Sequence, residues 1–495
     1  MERPMTIQHR TALAVACVVF CSMSLARAAD NASITLYRSD NPSLYASSGS
    51  GAIDEGYAVV REQRSVSLQS GVHDIVIGDL PNNLDAEAMA LGFPGGEAKV
   101  ISQRLLLGQG ANAALTGLTG SQIRVFGDNG DTLGMGTLLR AGDDGLVVRE
   151  SNGTVNQTML VRHYAAVMTS GDSFPTGSSL RLRVDASRSG QANATLSYPT
   201  SGIGWRAAYV ATLQSGSTCS MQFESRASIA NRSGRDWHDA NVTLIAGEPN
   251  FAKPSGPRPM MMAKAIPEGT ILGGAMPEQS TLADYRSYTL PAPVDLPDDS
   301  ISQVPLYATR TMSCERTALY ENGGNWMPPQ PMLNDQFNTD NNTNITSTFR
   351  LTAFDSLPAG YLRVLTADRN GIPQFIGEGR INDTPKGADA TITLGTVFDL
   401  RGNRERTKFQ VDKTGRTLDE AFRITLANTS DTARTVLVRE HPNRWRQWVV
   451  TSSSTKPSEQ TTDTLEFRIT VPANGTATLD YAVRYTWTAD DQPQS

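Results

Sequence analysis

Histidine and cysteine are scarce in this 495-residue chain, which has 5 of the first and 4 of the second. No spacing among them matches a zinc-binding helix motif, and no nucleophile stands with a base in a known catalytic signature. Apolar residues at helical three-and-four spacing are also hard to find, which argues against an α-helical core. Beyond Ala28 no segment stays apolar for the ~20 residues that a membrane-crossing helix needs. A basic excess is lacking too: the formal charge is −6 and is spread along the chain, which argues against nucleic acid as a partner.

The N-terminus has a pattern of its own. Met1 to Arg10 is polar and carries Arg3 and Arg10, Thr11 to Leu25 is apolar, and Ala26-Arg27-Ala28 puts small residues where signal peptidase reads. This reads as a secretory signal peptide over residues 1–28, since the apolar run is too short for a spanning anchor. Lipid attachment at Cys17 is disfavoured because Ala14-Val15-Ala16 lacks the leucine usual before a lipidated cysteine. Cleavage would remove Glu2, Arg3, Arg10 and Arg27 and take the formal charge from −6 to −8. The mature chain would then be exported, periplasmic or secreted, and would keep only Cys219 and Cys314. In an oxidising compartment these two either form one long-loop disulfide or are buried as separate thiols.

The rest of the chain alternates apolar and polar residues in short bursts, such as Ile34 to Tyr37, Val72 to Ile77 and Ala477 to Tyr485, parted by Gly, Asn, Asp and Ser clusters. That pattern predicts an all-β protein. Residues 29–116 read as an N-terminal β domain, in which the Ser- and Gly-rich stretch Pro42 to Gly56 is expected to be a flexible excursion. Residues 117–177 read as a small meander or barrel, with Asp128-Asn129-Gly130 and Gly142-Asp143-Asp144-Gly145 as hairpin turns. Residues 178–495 form the largest region, with an immunoglobulin-like sandwich expected over 347–488. It is interrupted over 251–296 by a proline-rich insertion in which proline density predicts no regular ladder. A second polar stretch runs from Asn322 to Asn344.

Several of these residues carry a resemblance. Ser197-Tyr198, Gly202-Ile203-Gly204-Trp205-Arg206-Ala207-Ala208-Tyr209, Ala230-Asn231-Arg232-Ser233-Gly234-Arg235-Asp236-Trp237 and Gly247-Glu248-Pro249 resemble the bacterial family called domain of unknown function 4139. Leu357-Pro358-Ala359-Gly360, Leu362-Arg363-Val364, Phe375 to Gly379 and Ile381 to Gly387 look like its second signature. The resemblance runs from about Leu196 to Trp487. It implies an exported β-rich protein, with some relatives described as mucoidy inhibitor-like and with no agreed catalytic residues. Many relatives carry a coiled coil before this region; this sequence has none.

The candidate site residues are few. Asp236, His238, Asp239 and Glu248 are the densest ionisable group beside a motif and could orient water or a cation, although Asp is equally a turn former. Trp445 and Trp448, flanked by Arg444 and Arg446, offer a binding surface if exposed and cation–π packing if not. Trp205 and Trp237 read as core. Gly377 and Gly379 read as strand or bulge glycines rather than a phosphate loop, because such loops open helices. Met260-Met261-Met262 reads as linker rather than a copper site. No catalytic residue, metal or cofactor is expected. The reading is a non-enzymatic binding or scaffolding protein of the cell envelope whose partner is an envelope protein or polysaccharide. The alternative is an envelope hydrolase whose acidic residues meet only in space.

Overall fold

A computed structural model of the chain describes residues 32–494, apart from 47–52, 54, 107–113, 117, 143, 153–154, 170–177, 215–217, 248–275, 283, 325 and 369. The expected signal peptide, Glu248, and the stretch 251–275 with its three methionines lie outside the described residues.

The described chain is almost wholly strand, in five sheets. Alternation in sequence becomes alternation in burial: Ile203–Leu213 and Thr417–Asn428 each turn every second side chain inward. Most of the structure consists of two sandwich-like units with the same ladder plan.

In the first unit Ser33–Tyr37 runs parallel to Trp237–Ala246 and antiparallel to Ala58–Leu68. Ala58–Leu68 pairs with Gly190–Thr200, and the chain then re-enters as Ile203–Leu213 to form a hairpin with Ser220–Asn231. Ser220–Asn231 pairs in turn with Ser300–Ser313, and Trp237–Ala246 with Tyr285–Thr289.

The second unit repeats each step. Glu315–Asn322 runs parallel to Arg434–Glu440 and antiparallel to Asn344–Thr352. Asn344–Thr352 pairs with the first half of Asp389–Asp412, whose second half forms a hairpin with Thr417–Asn428. Thr417–Asn428 pairs with Gly475–Thr486, and Arg434–Glu440 with Leu465–Val471.

The turn that leaves each hairpin is built alike. In the first unit Asn231 Nδ2 donates to the carbonyls of Arg235 and Leu296, while its Oδ1 accepts from Ser233 N and Oγ. In the second, Asn428 Nδ2 donates to the carbonyls of Thr432 and Pro472, while its Oδ1 accepts from Ser430 N and Oγ. The next residue closes the same crossing contact: Arg232 N donates to Gly202 O and Thr429 N to Asp399 O. Asn and Ser suit such turns because short polar side chains replace missing ladder partners.

The units differ where the long central strand changes sheet. The first breaks at Ser201-Gly202, where Gly202 has φ +80° and a Cβ would lie 2.6 Å from Arg232 O, so glycine is required. Its halves thus lie in two separate sheets. The second stays continuous through a bulge at residues 397–400, clamped by Arg401 Nη1 on the carbonyls of Val397, Phe398 and Leu400. One nine-stranded sheet results. It folds back on itself, so that the Phe467 and Tyr481 rings approach to 5.7 Å.

Two strands tie the units together. Gly360–Ala367 pairs parallel with Ile203–Leu213, and Pro373–Ile381 follows at the sheet edge. They fall within the interval assigned from sequence to the C-terminal sandwich, yet they extend a sheet of the first unit. A Cβ on Gly377 would sit 2.5 Å from Leu394 O and one on Gly379 2.7 Å from Ile392 Cβ, so both glycines allow this edge to lie against the second unit's long strand.

The first unit also carries an excursion. Gly71–Leu80, Ser178–Ala186 and Ala98–Leu106 form a three-stranded sheet. Between the last two in sequence, residues 122–169 form a five-stranded meander with its own core around Val125, Leu138 and Val148. Its edges, Ala166–Thr169 and Val155–Val161, do not pair with each other among the described residues.

Two expectations are corrected. Pro42–Tyr45 is a helical turn capped by Asn41, with Leu44 and Tyr45 buried, rather than part of a flexible excursion. Within the proline-rich interval Glu278–Leu282, Tyr285–Thr289 and Val294–Leu296 do form ladders. Its prolines Pro277, Pro291 and Pro293 fall just outside these strands, where no amide is needed.

Candidate functional site

The turn residues selected from sequence serve the fold. Asp236 is exposed and its Oδ1 accepts from Asp298 N at 2.8 Å. Asp239, at φ 47°, donates its own N to Asp295 Oδ1 at 2.9 Å. His238 Nδ1 lies 3.9 Å from the same Asp295 oxygen on a half-exposed side chain. The three surround one surface turn and hold the segment 294–299 against the strand. Trp205 and Trp237 are fully buried, with Trp205 Nε1 donating to Ile245 O. Trp445 is buried beneath Arg446, whose guanidinium carbon is 4.5 Å from its ring centroid. Trp448 is half-buried and donates Nε1 to Thr462 O. Cys219 and Cys314 form a disulfide.

Sequence reasoning missed three buried carboxylates. Glu62 accepts from Tyr198 Oη at 2.7 Å and from Arg235 Nη1 at 3.0 Å, and Arg235 stacks over Trp237 at 4.1 Å. Burial opposes the Arg235 charge, but Glu62 overcomes it and raises its pKa; burial and then Glu62 push Tyr198 far up. The second unit has the same chemistry at its other end. Glu440 accepts from Tyr481 Oη at 2.5 Å and from Arg404 Nε at 2.8 Å, with Arg404 stacked 3.7 Å over Phe422. Beside it Glu420 pairs with Arg444 at 2.8 Å.

These arginines also hold the polar stretch after Asn322. Arg444 donates to the carbonyls of Met332, Asn334 and Phe337, Arg404 to those of Asn338 and Asp340, and Arg406 to that of Asp335. Strand parity was the available signal. Glu62 shares its face with Val60 and Val66, Glu420 with Leu418 and Phe422, and Glu440 with Val436 and Val438. All three carboxylates are sealed from solvent and paired, which suits a structural role.

A solvent-facing recess of about 310 Å³ lies on the outer face of the second unit. Its floor is Ala421 beside Ala482. Bulges raise two of its walls: Thr407 is the extra residue between Arg406 and Lys408, and Thr451 the one between Val450 and Ser452. Thr407 and Ser452, Ser453 and Ser454 line it. Ion pairs flank it along the strands, with Asp480 on its lining. Asp419 accepts from Arg484 Nε at 2.7 Å and Nη2 at 3.0 Å, and Asp480 from Arg423 Nε at 2.8 Å and Nη2 at 3.4 Å. The hydrogen bonds from Arg484 hold the Asp419 carboxyl below its ordinary range, and those that Arg423 donates to Asp480 raise Arg423.

The recess has hydrogen-bonding groups and balanced charge. Among the described residues no group of three or more His, Cys, Asp and Glu side chains is placed to hold a metal ion. No helix among them is long and apolar enough to cross a membrane.

The fold and the recess define a class: an all-β protein of paired sandwich-like units with a polar surface site. Its family follows from the sequence. The family model described as "Domain of unknown function (DUF4139)" matches residues 194–489, and the chain belongs to that family. The match takes in both Asn turns and the recess. A search of the curated proteins gave no match.

Proposed function

We propose that this chain is an exported protein of the cell envelope that acts by binding rather than by catalysis, as a scaffold or receptor for an envelope component. The observation that carries this reading is the recess on the second unit, where hydroxyls and paired charges converge on an open surface. The disulfide agrees with an oxidising compartment, and the N-terminal residues agree with secretion. The buried carboxylates are committed to arginines inside the fold, the Asp236 carboxylate to the Asp298 amide and the Asp295 carboxylate to the Asp239 amide. Two experiments run side by side test it: affinity capture from envelope extract on the immobilised chain, and a turnover screen on polysaccharide, peptide and ester substrates. Capture of a defined component without turnover is expected. Turnover abolished by one carboxylate substitution in a folded variant would sink the binding reading in favour of the hydrolase.

A further inference from the structure

The recess allows its ligand class to be named, an inference that rests on the binding reading above. Along the two central strands the outward side chains form three successive rows: Asp419 opposite Arg484, Ala421 opposite Ala482, Arg423 opposite Asp480. The outer rows are four residues apart, about 13 Å at strand rise, which is longer than a single sugar ring.

Each aspartate–arginine pair is neutral, and the flanking charges cancel across the recess rather than at each end. Beside them Lys408 lies 3.5 Å from Asp419, and Glu405 stands opposite Arg423. An anionic ligand would face an aspartate beside each arginine, and a cationic one an arginine beside each aspartate. A neutral ligand that both donates and accepts hydrogen bonds is opposed by neither. Each arginine uses Nε and Nη2 on its aspartate and keeps Nη1 protons, while the carboxylate oxygens keep lone pairs. Among the described residues the Thr407 and Ser452 hydroxyls have no hydrogen-bond partner, so they too are available. The floor between these groups is two methyls, flat enough for the C–H face of a ring.

We propose that the recess over Ala421 and Ala482 binds a short stretch of a neutral, polyhydroxylated glycan. The apolar face of a sugar lies on the two methyls and its hydroxyls bridge the aspartate–arginine pairs. The recess sits on paired strands inside a nine-stranded sheet, so it is formed before the ligand arrives.

The test is calorimetric titration of the full chain with maltohexaose, cellohexaose and chitohexaose at low and high salt, beside an acidic polymer, polygalacturonate. Ala482→Leu and, independently, Ala421→Leu fill the recess from the solvent side and leave the core untouched; an unchanged melting temperature qualifies either variant for use. Binding of at least one neutral oligomer is expected, changed less than twofold by salt and weakened at least tenfold by either substitution. Absence of neutral-glycan binding, binding that survives both substitutions, or salt-sensitive binding of polygalacturonate alone overturns the proposal. If glycans fail while an envelope protein is still captured, this inference falls and the binding reading stands. Cleavage of a bound oligomer would support the recess and sink the non-catalytic reading.

Discussion

The two sandwich units share a ladder plan, an asparagine turn and a Glu–Arg–Tyr cluster, yet they place their buried charge at opposite ends. In the first, Arg235 and Glu62 sit just after Asn231 and brace the turn end, and Asp79 extends the pair to the surface. In the second, Glu440 closes the far end of the strand that follows the Asn428 turn, and Arg404, Arg406 and Arg444 reach outward to the loop carbonyls of residues 332–340. Where a buried arginine stands therefore decides which opening of a sandwich is sealed. The first unit closes its turn with charge, and the second holds a lid with it.

Removing a carboxylate is the harshest way to test this difference. Glu62→Ala and Glu440→Ala each leave a buried guanidinium without its main partner and should cost about 3–5 kcal/mol in denaturant unfolding. Only the second should also expose the loop 332–340 to protease; equal cleavage in both variants would remove the distinction. Next in size is the disulfide, which staples the first unit alone across a sequence separation of 95 residues. Cys219→Ser with Cys314→Ser should lower stability by about 2–4 kcal/mol, and reduction of the wild type should reproduce the loss.

The turns test the likeness rather than the difference. Asn231→Ala and Asn428→Ala each strand backbone carbonyls and free a serine, and each should cost about 2 kcal/mol. A loss confined to one of them would show that the two turns are not equivalent. The smallest effect separates the units by pH. In the second unit His441 Nε2 meets Glu321 Oε1 at 2.9 Å. The Glu321 hydrogen bond raises His441 above its ordinary 6.5, and His441 lowers Glu321 below 4.5. The histidine contribution is full below about pH 6.5 and fades as pH rises through its raised pKa; that of Glu321 is present above about pH 4.5 and fades below it. The pair should therefore stabilise most between those values, by less than about 1 kcal/mol because Glu321 is partly exposed. Glu321→Gln should flatten that part of the stability profile.

Much of the fold was legible because strand alternation and turn chemistry are local. The β class, the buried Trp205 and Trp237, the turn from Asn231 to Gly234 and the strand glycines Gly377 and Gly379 all follow from neighbours in sequence. The duplication was not, because the two turns share only an Ala-Asn pair and the Ser two residues after the Asn, while the side chains around them differ freely. Nor was the crossing of Gly360–Ala367 into the first unit, since an alternating strand reads the same in either sheet. Glu62, Glu420 and Glu440 were missed because a charged residue within an alternating strand is taken as a solvent-facing one, although its parity points inward. The recess was invisible for another reason: alanine is a weak signal, and Ala421 and Ala482 matter only because bulges elsewhere raise walls around them.

The crossing strands also impose an order in time. As the chain is made from its N-terminus, Ile203–Leu213 pairs with Ser220–Asn231 early, but the other side of its stretch from Ala207 onward stays bare until synthesis has passed Ala367, over a hundred and fifty residues later. That side is the edge from Ala207 to Leu213, with Tyr209 on it, since at Trp205 the bridge to Arg38 forms from chain already made, and such an edge is the kind of template on which chains join one another. A product stopped short of Gly360 would keep this edge permanently, and aggregation rather than a smaller folded protein is its expected fate.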